Sequence, residues 1–98
     1  MIGKDMEKRY FVGRIQCGED REETFTIEYY LLECRDLFSI EIVKERTDVF
    51  GESEDVENIT SYPISHTRSV VERIARILLR NAVTPATMYE CLDDMFEI

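Results

Sequence analysis

The sequence predicts an α+β fold: an antiparallel sheet followed by a helical hairpin packed on one sheet face. Three observations carry this reading. Apolar residues recur at every second position up to about Tyr62. Beyond Pro63 they recur at the spacing of one helix face. A Thr84-Pro85 step then divides the helical part in two. Elements segregated in this way along a chain imply helices gathered on one side of a sheet.

The first strand is expected over about 9–16, with Phe11, Gly13 and Ile15 on one face and Tyr10, Val12 and Arg14 on the other. The second, over about 24–33, alternates more cleanly and sets Phe25, Ile27, Tyr29 and Leu31 together. The third, over about 37–46, sets Phe38, Ile40 and Ile42 together. A weaker fourth strand runs over about 56–62 and stops at Pro63. Period-two alternation of β-branched and aromatic residues is the strand signal. The charged stretches 17–23 and 47–55 contain Gly18 and Gly51 and read as loops. Residues 1–8 read as a flexible tail.

A four-residue hairpin loop at Glu33–Asp36 would set Leu32 opposite Leu37, Leu31 opposite Phe38, Tyr29 opposite Ile40 and Ile27 opposite Ile42. That register gathers the large apolar side chains on one face, which is what fixes a register. The matching pairing of the first hairpin sets Ile15 opposite Phe25 and Phe11 opposite Tyr29.

The first helix is expected over about 67–81, with Val70, Val71, Ile74, Ile77 and Leu78 as its apolar stripe. Ser65, Thr67 or Ser69 could cap it, and Ser69-Val70-Val71-Glu72 fits a capping box. The second helix is expected over about 85–96. Thr84 is its N-cap, Pro85 its first residue, and Val83 and Met88 stand at staple spacing. Its stripe is Met88, Cys91, Leu92, Met95 and Phe96.

The 98 residues fit a single domain, 1–98, with one modest core. Twelve basic against 21 acidic side chains give a net charge of −9, the wrong long-range field for nucleic acid. No stretch approaches 18 consecutive apolar residues, so no membrane span is expected. The charged stretch Met1–Arg9 lacks the apolar core of an export signal. Three widely spaced cysteines, Cys17, Cys34 and Cys91, form no disulfide framework and point to a reducing cytoplasm. With His66 the only histidine and no paired cysteine spacing, no metal or other cofactor is expected. Neither a phosphate-binding glycine loop nor a nucleophile motif occurs, so no catalytic constellation is found.

Three features remain as candidates. Arg73, Arg76 and Arg80, with Arg68 nearby, line the polar side of the first helix. They could track phosphates, or simply form the solvated back of an amphipathic helix. The helix after Thr84 carries charge −4 and no Lys or Arg, which argues against direct duplex DNA recognition. Glu28 and Glu41 would stand directly opposite in the expected register, as a shared-proton acid/base pair or a hard-metal site, or simply as part of a solvated face with Arg14 as counter-charge. The sheet face away from the helices carries Tyr10, Val12, Tyr30, Leu32, Leu37 and Val43, more apolar than a face turned to water needs to be. It reads as a contact surface for another protein or a second copy of the chain.

Tyr29-Tyr30-Leu31-Leu32-Glu33, Ile40-Glu41-Ile42-Val43-Lys44-Glu45 and Val83-Thr84-Pro85 together resemble a family of short uncharacterised cytoplasmic proteins from anaerobic Gram-positive bacteria. The resemblance covers about residues 24–96. It implies a bacterial, cytoplasmic protein and brings no catalytic residues with it. The expected function is therefore a small non-enzymatic interaction or regulatory module. The alternative is a nucleic-acid-associated regulator using the arginine face. An acidic decoy of nucleic acid is a variant of it, given charges of about −5 over 45–57 and −4 over the last helix.

Overall fold

The computed structural model describes residues 7–20, 23–47, 50 and 52–96. Four strands, β1 (Lys8–Asp20), β2 (Glu23–Cys34), β3 (Leu37–Thr47) and β4 (Ser53–Thr60), form one antiparallel sheet in the order β1-β2-β3-β4. Two helical segments follow: α1 (Arg68–Arg80), then a 3-10 turn (Pro85–Thr87) running directly into α2 (Met88–Phe96). The α+β architecture is the expected one. The strands are longer than their apolar alternation indicates, because β1 continues through Asp20 and β2 begins at Glu23. The expected tail is already strand at Lys8, and its first six residues lie outside the described ones. Parts of both expected loops, 21–22, 48–49 and 51, also lie outside them.

Alternation in β2 and β3 selects the buried face. Ile27, Tyr29, Leu31, Phe38, Ile40 and Ile42 are buried against Val71, Ile74, Ala75 and Leu78 of α1, Val83, and Met88 and Leu92 of α2. Each such large side chain removed from water contributes roughly 1.5–3 kcal/mol. Phe25 is only half-buried. It pairs with Arg46 at the charged end of the sheet, and the Lys44 ammonium lies 4.7 Å from its ring centre. Val70, expected in the α1 stripe, is exposed.

The β2–β3 hairpin differs from expectation. Arg35 (φ 55°) and Asp36 (φ 64°) form a two-residue turn, so Cys34 pairs with Leu37, Leu31 with Ile40 and Tyr29 with Ile42. The register is displaced by two residues. Side chains alternate with period two, so every residue keeps its face while changing its partner. Glu28 therefore lies opposite Val43, and Glu41 opposite Tyr30. The expected Glu28–Glu41 pair does not form.

In β1 the pairing slips between Phe11 and Gly13, leaving Val12 as the extra residue of a β-bulge. Strict alternation fails there. Tyr10, Val12 and Ile15 pack against the core, whereas Phe11 turns to the opposite face and is 59% exposed. Tyr10 and Val12 thus belong to the helix side, a correction to the expected contact surface. Gly13 lies under Leu79 of α1, since a Cβ there would stand 2.8 Å from a Leu79 methyl. Ile15 pairs with Ile27, not Phe25, and Phe11 with Tyr30, not Tyr29.

Helix α1 begins after Thr67, which makes no side-chain cap; the Thr67 N–H donates to Ser65 Oγ at 3.0 Å. Ser69 lies inside the first turn, so the Ser69–Glu72 capping box is not formed. The helix ends as Ala82 enters the left-handed region (φ 52°), with its N–H on the Leu79 carbonyl at 3.0 Å. Val83 then turns inward, and the Tyr29 hydroxyl donates to its carbonyl at 2.7 Å. The expected Thr84-Pro85 start holds: the Thr84 N–H donates to Thr87 Oγ1 at 3.3 Å, and Val83 and Met88 both reach the core.

Candidate functional site

With α1 and α2 both on one side, the other side of the sheet is covered by no element among the described residues. Alternation places Arg9, Phe11 and Arg14 of β1 on this outer face, with Glu28, Tyr30 and Leu32 of β2. From β3 and β4 come Leu37, Glu41, Val43, Val56 and Asn58.

Tyr30 is the centre of the arrangement. The Arg9 guanidinium carbon lies 3.7 Å over its ring centre, and Phe11 meets the ring edge-on at 5.6 Å and 68°. The Tyr30 hydroxyl donates to Glu28 Oε1 at 2.7 Å. Arg9 Nε donates to Glu41 Oε1 at 2.9 Å, and Asn58 Nδ2 to Glu41 Oε2 at 3.3 Å. Four strands thus contribute to one network, with the bulge at Val12 bringing both Arg9 and Phe11 to it. Loss of hydration, then the hydrogen bond to Glu28, raises the Tyr30 phenol above its ordinary pKa.

The two carboxylates serve separate partners. Glu28 takes the phenol and Glu41, nearly buried, takes the guanidinium and the amide. Neither faces the other across a shared proton. The stacked guanidinium and phenol ring hold one another in place, since charge-assisted bonds tie the guanidinium to Glu41 and the phenol to Glu28. Tyr30, Leu37 and Val43 of the expected surface lie half-buried on this face. Leu32 is on it by alternation, but only 7% exposed. Arg9, Phe11 and Asn58 are additions that alternation alone could not supply. The bulge reverses the face of Phe11, and Asn58 sits in the strand with the weakest pattern.

The arginine face of α1 is divided. Arg76 pairs with Glu72 at 2.9 Å, one turn earlier. The Arg68 guanidinium lies 4.1 Å over the Tyr10 ring, reaching toward β1. Arg73 and Arg80 are exposed. His66 Nδ1 lies 2.9 Å from the Asp36 carbonyl at the hairpin turn. Cys34 and Cys91 are free thiols, the first on the outer face, the second packed against the core. Among the described residues, no three or more His, Cys, Asp or Glu side chains converge as metal ligands. On the helix side, at the charged end of the sheet, Phe25, Lys44, Arg46, Asp55 and Glu57 line an open groove of about 250 Å³.

No helix among the described residues is long and apolar enough to cross a membrane. No curated protein and no solved structure matches the chain. A family model does match, over residues 8–97, from the start of β1 to the end of α2. That span takes in the sheet, both helices and every residue of the outer-face network; the chain belongs to a family of unknown function, DUF6514.

Proposed function

We propose that the chain is a small protein-interaction module whose docking surface is the outer face of the sheet, and that its occupant is a second copy of the chain. The supporting observation is the exposure of Phe11 (59%) and Val56 (60%) on a sheet face that no described element covers. Tyr30 and Val43 lie on the diagonal between them, and Leu37 lies on the same face at the hairpin end. Contiguous apolar exposure on one face is the mark of an interaction site.

Charge supports the choice of occupant. Two copies of net charge −9 repel at long range. On the outer face, however, Arg9 and Arg14 stand against Glu28, Glu41 and Glu45, so this face is close to neutral. It is a surface on which a like-charged copy could settle once within a Debye length, roughly 10 Å at ordinary salt. The setting proposed with it is a reducing bacterial cytoplasm, which the free thiols of Cys34 and Cys91 suit.

Sedimentation equilibrium over a wide concentration range tests the proposal. The expected result is a dimer that Phe11→Glu returns to monomer while the circular dichroism spectrum is unchanged. A monomer at every concentration, or a dimer indifferent to Phe11→Glu, would refute it.

A further inference from the structure

The net charge of −9 is confined to two segments. Residues 47–67 hold five acidic side chains and 81–98 hold four, and neither segment contains a Lys or Arg. The rest of the chain carries 12 charges of each sign. The fold brings the two segments together. Tyr89 of α2 donates its hydroxyl to the Thr60 carbonyl at the end of β4 (3.0 Å), and its ring lies 5.7 Å from that of Tyr62. Among the described residues this flank carries the exposed Asp55 and Glu57 of β4 and Glu90, Asp93 and Asp94 of α2, and its rim is a sheet edge, since among the described strands β4 pairs only with β3.

The ladder fixes which backbone groups that edge offers. The Ser61 N–H donates to the Ile40 carbonyl at 2.8 Å, so Ser61 and Ile40 are a hydrogen-bonded pair. Antiparallel pairs alternate between bonded and non-bonded. Ile59, Glu57 and Asp55 then point their N–H and C=O groups at β3, while Thr60, Asn58 and Val56 point theirs outward. The Thr60 carbonyl is taken by Tyr89. Val56 and Asn58 remain, each with a donor and an acceptor turned away from the sheet.

From these positions we infer that the β4 edge accepts an extended basic segment of another polypeptide as a fifth strand. Its backbone pairs with Val56 and Asn58. Its side chains alternate: those on the helix side fall beside Asp55 and Glu57, and those on the outer side beside Val56. The ligand is thus a strand with Lys or Arg at every second position and small apolar residues between. Asp55 remains available to it, because its contact with Arg46 is long (3.5 Å) and its side chain is 63% exposed. Another β4 is a poor occupant, since it would bring Asp55 and Glu57 against their own kind. This site meets the outer face at Val56 but uses the β4 backbone and the helix-side Asp55 and Glu57, none of which the Phe11–Tyr30 surface needs.

The test uses a short peptide of alternating lysine and valine, and the full chain. Amide hydrogen exchange of the wild-type protein with saturating peptide should slow at Val56 and Asn58. Binding should weaken with salt. Val56→Pro removes one outward N–H without touching the bonds to β3, and should weaken binding about tenfold. Asp55→Lys should also weaken it, and it leaves every backbone group in place. Phe11→Glu should leave binding unchanged. Three results would each overturn the proposal. One is unchanged exchange at Val56 and Asn58 under saturation. Another is equal binding of a lysine–proline peptide, which cannot form a strand. The third is self-association through this edge, seen as a mass that still grows with concentration in Phe11→Glu and that Val56→Pro then abolishes.

Discussion

Tyr29→Phe isolates one hydrogen bond that ties the sheet to the helical hairpin. Tyr29 has no exposed surface, and its hydroxyl donates to the Val83 carbonyl at 2.7 Å, where Val83 is itself 6% exposed. The phenylalanine ring keeps the packing against the core, so no cavity of consequence opens. What is lost is the buried bond, and a buried carbonyl loses a donor. That costs about 1–3 kcal/mol, well short of the roughly 3–5 kcal/mol expected for removing the whole ring. For a domain of this length each kcal/mol lowers Tm by about 4–8 °C. Urea unfolding followed by circular dichroism should show a lower midpoint with an unchanged slope. Tyr89→Phe is the control: its hydroxyl also meets a backbone carbonyl, that of Thr60 at 3.0 Å, but at an exposed position. Its loss should cost no more than about 0.5 kcal/mol, the low end for a hydrogen bond that water can replace. Equal effects of the two substitutions, or a Tyr29→Phe variant as stable as wild type, would refute the claim that Tyr29 is the tether.

Ser61→Ala should cost about 1–3 kcal/mol in the same assay, because Ser61 Oγ accepts the buried Ile40 N–H at 2.9 Å where the β3–β4 ladder ends. Ala82→Gly should raise Tm by a few degrees, since it relieves an alanine held at φ 52°, a conformation costing a non-glycine residue about 1–2 kcal/mol. Raising the pH into the alkaline range should destabilise the protein partly through Tyr30. Its phenol is raised in the folded state, chiefly by loss of hydration and then by Glu28, so the fold favours the neutral form. That contribution is fully present below about pH 10 and is lost as the pH rises through the folded value. Tyr30→Phe should flatten the alkaline limb of the stability curve and remove one late-titrating tyrosine from the ultraviolet absorbance titration.

The buried face was readable because its signal is redundant. Ile27, Tyr29, Leu31, Phe38, Ile40 and Ile42 all follow period two, and a register error of two residues does not disturb them. The partners were not readable. A two-residue turn of this hand normally announces itself with Asn-Gly or a similar pair, and here it is built from Arg35 and Asp36. That substitution hid the true pairing and produced the apparent Glu28–Glu41 opposition. The bulge at Val12 left no mark in the sequence either, yet it decides that Phe11 faces outward while Tyr10 and Val12 face the core. The outer-face network depends on that one extra residue, so its existence became clear only with the pairing in hand. Charge hid the ends of β1 and β2, since Gly18-Glu19-Asp20 has the composition of a loop and the backbone of a strand.

Covalent labelling of side chains by hydroxyl radicals, read by mass spectrometry at low and high protein concentration, tests the whole account at once. Phe11 and Tyr30 should be modified in dilute solution and protected in concentrated solution, while Tyr29 is protected in both. Protection of Phe11 in dilute solution would mean that the sheet is covered on both sides. Equal modification of Phe11 at both concentrations would mean that no second copy docks there.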